Sequence, residues 1–211
     1  MSLINGKLLQ ALTGFGKAKA ATTDSFIQLP TGEMGVSELM PKYSALTKAQ
    51  QGFSARSPLA TLSLAGTAMT GLVLLNPANS GVDLHVTLTS GNVVVTSATT
   101  TGIALAYGTQ GLVLPTGTTA LTPLSNYVGG GQVPAAKVYS AATLAAAPVA
   151  ALDLLHNAAA IATTGEDQGF IFDLGGTVVV SAGSYVTFIA LGAASAASAV
   201  NLGINWLEIV A

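Results

Sequence analysis

The chain has 211 residues, of which half are hydrophobic and only 8% are charged. Soluble domains usually carry about 25% charged residues, and low charge combined with high apolar content excludes intrinsic disorder. The formal net charge of −2 argues against a nucleic-acid-binding protein, because a basic surface is what attracts phosphate backbones. The sequence contains no cysteine, which excludes disulfides, zinc thiolates and a cysteine nucleophile.

The sequence predicts no transmembrane helix and no membrane partner. The most apolar window, residues 141–163, is interrupted by a proline and by polar residues, so a run of about 20 apolar residues does not survive. The interrupting residues are Pro148, Asp153, His156 and Asn157.

Charge divides the chain into a basic N-terminal arm, residues 1–57, and a weakly acidic body, residues 58–211. The arm holds six basic residues against three acidic ones, and the body holds one lysine against six carboxylates. Weak helical periodicity in Ser2–Leu12 and Ser37–Gln51 predicts that the arm is extended and partly helical. One interpretation is a set of surface helices packed on the body. We favour an arm that contacts a neighbouring copy through its basic residues: Lys7, Lys17, Lys19, Lys42, Lys48 and Arg56.

From Leu59 onward the pattern changes to short β-rich runs separated by Gly, Pro, Asn and Ser. In the first half of the body we predict strands over these runs: Leu59–Leu64, Gly71–Asn76, Val82–Ser90, Val93–Ser97, Ile103–Tyr107 and Gly111–Leu114. The alternation of Val82–Ser90 places Val82, Leu84, Val86 and Leu88 on the buried face and Asp83, His85, Thr87 and Thr89 on the other. Gly91-Asn92 predicts a turn.

The C-terminal part shows the same pattern of short β-rich runs separated by turn residues. We predict four strands there: Gly169–Leu174, Thr177–Ser181, Ser184–Leu191 and Val200–Val210. Gly175-Gly176 predicts a two-residue hairpin turn, and Ala182-Gly183 predicts the next turn. In the last strand Trp206 shares a face with Leu202 and Ile204, which indicates a core position. About ten short strands of this kind indicate a β-sandwich or a barrel.

An alanine-rich insert occupies about residues 123–165. Gly129–Gly131 predicts a flexible loop or hinge, Ala135–Ala147 fits either a strand or a helix, and Ala150–Ala162 has a helix-like composition.

Few residues suggest catalysis or metal binding. Asp153 and His156 lie one helical turn apart, but a single pair of this kind often arises by chance. His85 lies near Asp83 on a polar strand face, which a solvated or lightly hydrogen-bonded surface explains better. Calcium needs six to eight oxygen ligands, which Glu166, Asp167 and Asp173 do not provide in a recognisable loop. Glu166 and Asp167 are adjacent and point to opposite faces of a strand, which is a poor geometry for glycoside hydrolysis. We therefore predict no catalytic residue, no metal site and no cofactor.

Two segments carry a resemblance to a known class of proteins. The first is Leu74–Leu84, with the sequence LLNPANSGVDL, and the second is Val180–Val186, VSAGSYV, followed by GINWLE at Gly203–Glu208. Together they resemble small jelly-roll virion proteins of tailed bacteriophages, which sit on capsids or tails as decoration, cement or adaptor subunits. The resemblance implies a mainly β chain folded as a jelly-roll-like antiparallel β-sandwich. It further implies a homo-oligomer, with a trimer favoured, and no catalytic residues.

Three functions remain as hypotheses. The favoured one is a capsid decoration or cement protein on the virion, which stabilises the shell through arm-mediated contacts with its own copies and with proteins such as the major capsid protein. The alternative is a receptor-binding or adhesin module of a tail or spike, which would need an exposed aromatic or polar pocket. An enzyme acting on cell-wall or capsule sugars is disfavoured because histidines and clustered carboxylates are scarce.

An arm that is held only by neighbouring subunits should be sensitive to protease in the free chain. Trypsin is expected to cut the free protein first within Gly14–Lys19, after Lys17 and Lys19, and to spare these bonds in the assembled state. Mass spectrometry of timed digests measures the order of cleavage. Equal protection of the two lysines in the free and assembled protein would contradict the interpretation.

Overall fold

A computed structural model describes residues 44–95, 102–109, 116–155, 168–192 and 198–211. These residues form one short helix, α1 (Ser44–Lys48), and eleven β-strands. The chain divides into two compact units between Gln50 and Gln51, with α1 in the first and every described strand in the second. The boundary predicted after residue 57 differs from this division, because Gly52–Arg56 forms the first strand of the second unit.

The strands form two antiparallel sheets, which confirms the mainly β, sandwich-like fold class. Sheet 1 contains five strands: β1 (Gly52–Arg56), β3 (Val82–Val95), β6 (Leu124–Ser125), β9 (Gln168–Val180) and β11 (Ser198–Val210). Sheet 2 contains six: β2 (Ala68–Leu75), β4 (Ile103–Thr109), β5 (Thr116–Leu121), β7 (Lys137–Thr143), β8 (Val149–Leu155) and β10 (Ser184–Ala190). The order of neighbours is β6-β1-β11-β3-β9 in sheet 1 and β5-β7-β2-β10-β4-β8 in sheet 2.

The pairing between strands is nested. β1 pairs with β11, β2 with β10, β3 with β9 and β4 with β8, so the first four strands meet the last four in reverse order. Along the chain the first four strands alternate between the two sheets, and so do the last four. The remaining strands, β5, β6 and β7, extend the two sheets beside β1 and β2.

The inner faces of the two sheets form the main core. Side chains alternate across a strand, and on β11 this places Leu202, Ile204 and Trp206 inside, each fully buried. The Trp206 ring lies 6.0 Å from the ring of Phe53 on β1. The predicted core role of Trp206 is therefore confirmed.

The central strands of sheet 2 are buried on their outer face as well. On β2, Leu72 and Leu74 belong to the main core, while Val73 and Leu75 join a second apolar cluster on the opposite side. The loop between β7 and β8 lies against this side, where the Tyr185 hydroxyl donates to a backbone carbonyl at 3.1 Å. Burial raises the pKa of Tyr185. Burial on two faces explains why residues 72–75 form a continuous apolar run instead of an alternating one.

Two predicted turns lie within continuous strands. Gly91-Asn92 is in the middle of β3, where Gly91 pairs with residues on both neighbouring strands. A glycine is required there because a Cβ atom would lie 2.5 Å from the ring of Phe170. Gly175-Gly176 lies within β9, where the pairing with β3 jumps and both glycines have positive φ. A dipeptide suited to a hairpin turn thus forms a bulge. The turn at Ala182-Gly183 is confirmed.

The alternation predicted for the strand beginning at Val82 holds only as far as Val86. The pairing of β3 with both neighbours shifts there, and beyond the shift Thr87 and Thr89 are buried while Leu88 is only partly buried. The prediction of Leu88 as a core residue is wrong, because one extra residue in a bulge reverses which side chains face inward.

The alanine-rich insert belongs to the sandwich over its described part. Residues 137–143 form β7 and residues 149–155 form β8, so the helix suggested for Ala150–Ala162 is wrong over its first six residues. Alanine has no strong strand preference, and the pairing of β8 with β4 decides the conformation. Leu59–Leu64 forms only isolated bridges at Ala60 and Leu64. The predictions for residues 96–97, 111–114 and 156–165 lie outside the described residues.

A buried asparagine joins four strand ends. The side-chain nitrogen of Asn76, which is fully buried, donates to the carbonyls of Val82 at 2.7 Å and Val180 at 2.8 Å. The backbone N–H of Asn76 donates to the backbone carbonyl of Ser184, and the backbone carbonyl of Asn76 accepts from the N–H of Gly183. Asn76 therefore connects the end of β2 to the start of β3, the end of β9 and the start of β10.

Asn76→Ala is expected to lower the free energy of unfolding by about 2–4 kcal/mol, because a buried carbonyl and a part-buried one lose their donor. Asn79→Ala, in the exposed turn that follows, serves as the control and should change it by less than about 0.5 kcal/mol. Urea unfolding followed by Trp206 fluorescence measures both. Similar small effects for the two variants would refute the connecting role.

Candidate functional site

A groove of about 860 Å³ crosses the outer face of sheet 1. The groove forms because the register of the strands places side chains from different strands side by side. Directly paired residues on neighbouring strands point to the same side of a sheet. One row across four strands consists of Arg56, Gly203, Ser90 and Ile171. The groove therefore joins side chains that are far apart in the sequence.

Glycine at position 203 keeps the floor of the groove open. Gly203 lies on β11 between Arg56 on β1 and Ser90 on β3. A Cβ atom at this position would lie 2.6 Å from the Ser90 hydroxyl oxygen. Even the smallest side chain would displace Ser90, so the depression depends on this glycine.

Amides, hydroxyls and one guanidinium line the groove. The polar lining residues other than Arg56 are Ser54, Ser90, Asn92, Thr122, Asn201 and Asn205. Arg56 donates from Nε to the side-chain oxygen of Asn201 at 2.7 Å, which fixes the plane of the guanidinium. The lining residues that the structure describes include no carboxylate. The groove is therefore polar with a single positive charge.

An exposed apolar loop lies at one end of this groove. We call residues 124–133 the apolar loop; it begins with β6, the edge strand of sheet 1. Four of its side chains are exposed although they are large and hydrophobic: Leu124, Tyr127, Val128 and Val133, with exposed fractions of 66%, 43%, 96% and 78%. Clusters of exposed apolar side chains on a folded protein mark contact sites for other proteins.

A buried carboxylate fixes the end of this loop. Glu208 on β11 accepts hydrogen bonds from the backbone N–H groups of Ala135 at 2.9 Å and Ala136 at 3.0 Å. The Trp206 indole N–H points at the same carboxylate at 3.4 Å. Two successive N–H groups form a small anion-binding concavity, so Glu208 anchors the segment that leads from the apolar loop into β7.

The predicted arm contacts fall in different parts of the molecule. Arg56 is on β1 and lines the groove, and Lys48 is exposed in the last turn of α1. Lys7, Lys17, Lys19 and Lys42 lie outside the described residues. A role for these residues in subunit contacts stays a prediction.

The residues considered for metal binding or catalysis are dispersed. His85 is half-buried, with Nδ1 3.4 Å from the Gly176 carbonyl oxygen. Asp173 accepts from the Gly175 N–H at 2.8 Å within the β9 bulge, and Asp153 is exposed on β8. His156, Glu166 and Asp167 lie outside the described residues. Within the described ranges no three His, Asp or Glu side chains come close enough to share a metal ion.

Among the described residues there is no helix with the length and hydrophobicity needed to span a membrane.

Comparison of the chain with protein-family models, with curated protein sequences and with solved structures gives no significant match. Its function is therefore inferred from the residues and geometry described above.

Glu208→Ala is expected to loosen the segment after the apolar loop, because two N–H groups lose their acceptor, at a cost of about 2 kcal/mol or more. Glu208→Gln, which keeps one acceptor oxygen, should cost about half as much. Thermal unfolding measures the stability, and NMR hydrogen exchange at Ala135 and Ala136 localises the effect. Unchanged exchange at both amides in Glu208→Ala would contradict the anchoring role.

Proposed function

We propose that this chain is a structural subunit of a bacteriophage particle, a capsid decoration or cement protein that stabilises the shell through contacts between subunits. It forms a homo-oligomer, with a trimer favoured, and contacts other virion proteins such as the major capsid protein. It carries out no catalysis and needs no cofactor.

The apolar loop is the observation that carries this proposal. Four exposed hydrophobic side chains within ten residues offer a contact surface that does not depend on charge. Burial of apolar area contributes about 25 cal/mol per Å², and a lattice repeats each contact many times. Because Glu208 holds the end of the loop, less conformational entropy is lost when a neighbour packs against it.

Strand topology supports the same proposal. Four nested antiparallel pairs, in which the first four strands meet the last four, are the pattern expected for a jelly roll. We assign the sandwich to that class, as the resemblance of Leu74–Leu84 and Val180–Val186 implies. Strands β5 to β7 are then an insertion between the fourth and fifth strands of the roll, and this insertion presents the apolar loop.

The arm supplies a second contact in this proposal. Five of its six basic residues precede β1, and the body that follows is weakly acidic, so the arm of one subunit complements the body of the next. The contacting residues are Lys7, Lys17, Lys19, Lys42 and Lys48. Arg56, the sixth basic residue predicted for this contact, lies on β1 and lines the groove.

The purified full chain is expected to be oligomeric at micromolar concentration. Replacing both Val128 and Val133 by Asp should raise the dissociation constant about tenfold or more, because each change puts a charge into an apolar contact. Val149→Asp, at a similarly exposed position on β8, is the matched control and should have no effect. Sedimentation velocity over a range of concentrations measures all three proteins.

Electron microscopy of phage particles labelled with an antibody against the chain tests the location. We expect labels distributed over the shell. Labels confined to the tail would favour the adhesin alternative. A monomer at every concentration, combined with unlabelled particles, would overturn the proposal.

A further inference from the structure

We propose that the groove on sheet 1 binds an acidic saccharide, with a sugar carboxylate on Arg56 and sugar hydroxyls on the asparagine and serine side chains. This site shares Leu124 with the apolar loop, but it differs from the loop contact in its chemistry and does not depend on the assembly role. A ligand of this kind would suit the receptor-binding alternative as well as a decoration protein that contacts a host surface.

The backbone groups of the groove floor are used in strand pairing, so a ligand in the groove is recognised by side chains. The floor strand β11 is paired with β3 along the groove and with β1 from Gly203 to Leu207, and beyond β1 the Leu202 carbonyl accepts from the Ser57 N–H. A peptide could not add as a strand beside β11, since such recognition needs free N–H and C=O groups at a sheet edge. The occupant must therefore be recognised by the polar side chains and by contact with the bare glycine floor.

The single positive charge in the groove favours a ligand that carries few negative groups. Arg56 is the single charged residue among the described lining residues, and its Nε–H is already used by Asn201. The outer nitrogens of a guanidinium held in this way form a planar fork that matches a carboxylate. The body from residue 58 onward carries more carboxylates than lysines, which disfavours a dense polyanion such as nucleic acid.

The remaining lining fits hydroxyl groups. Each asparagine side chain offers two N–H donors and an acceptor, and each serine offers one donor and can accept. After its oxygen accepts from Arg56, Asn201 still has its donors, and Asn205 and Ser54 face each other as direct register partners. Sugar hydroxyls both donate and accept, so this set can satisfy them without further charge. Leu124 and Ile171 supply apolar surface for the C–H faces of sugar rings.

The size of the groove agrees with this class of ligand. Its volume of about 860 Å³ is within the range of roughly 300–1,000 Å³ for pockets that hold small organic ligands. It extends over five strands, from Leu124 on β6 to Ile171 on β9, which favours an oligosaccharide over a single sugar.

NMR titration of the full ¹⁵N-labelled chain tests the proposal. The acidic probes are sodium D-glucuronate and trigalacturonate, and the matched neutral probes are D-glucose and the methyl ester of trigalacturonate. We expect the acidic probes to shift the signals of Arg56, Asn201 and Asn205, and to bind about tenfold or more tightly than the neutral ones. Binding should weaken as the salt concentration rises.

Variants separate the groove from general charge effects. Arg56→Ala should lose about tenfold or more in affinity, and Asn205→Ala should lose less. Lys137→Ala removes the same charge from an exposed position on sheet 2 and should bind like the original chain. The amide spectrum shows in each case that the variant is folded. No shifts at about 50 mM of either acidic probe, equal binding of neutral probes, or full affinity in Arg56→Ala would each overturn the proposal. The sedimentation result is unaffected by any of these outcomes, so the two proposals fail independently.

Discussion

The alternation of side chains along β11 is the constraint on which the rest of the molecule depends. β11 lies in the middle of sheet 1 and pairs with β1 and with β3. Its inward side chains, Leu202, Ile204 and Trp206, fill the core, and its next inward residue, Glu208, holds the segment after the apolar loop. Its outward residues form the floor of the groove. A shift of one residue in register would disrupt the core, the groove and the loop anchor together.

The strands could be predicted to a large extent, because hydrophobic runs and turn residues are local signals. β4 and β10 begin where the sequence predicts. The wrong predictions concern residues whose conformation depends on pairing with a neighbouring strand and not on the local sequence alone. Gly175-Gly176 suits a hairpin turn, yet the strand continues through it as a bulge, and whether a glycine pair ends a strand depends on pairing with β3. Leu88 was misplaced for the same reason, since a bulge has no distinctive residue of its own.

The groove could not be predicted from the sequence. Its residues come from five strands, and Arg56, Ser90 and Asn201 become neighbours only through register. One signal was available: Asn201, Gly203 and Asn205 form a polar face opposite an apolar one on the last strand, and a glycine between two amides leaves space. The prediction that Arg56 belongs to the arm obscured this signal, because Arg56 is on β1, directly beside β11.

Amide hydrogen exchange of the full chain tests the central role of β11 most directly. If β11 organises the sandwich, its amides from Asn201 to Leu207 exchange slowest, at rates set by global unfolding, whereas those of the two-residue edge strand β6 exchange through local opening. Exchange of the β11 amides as fast as that of β6 would contradict the account.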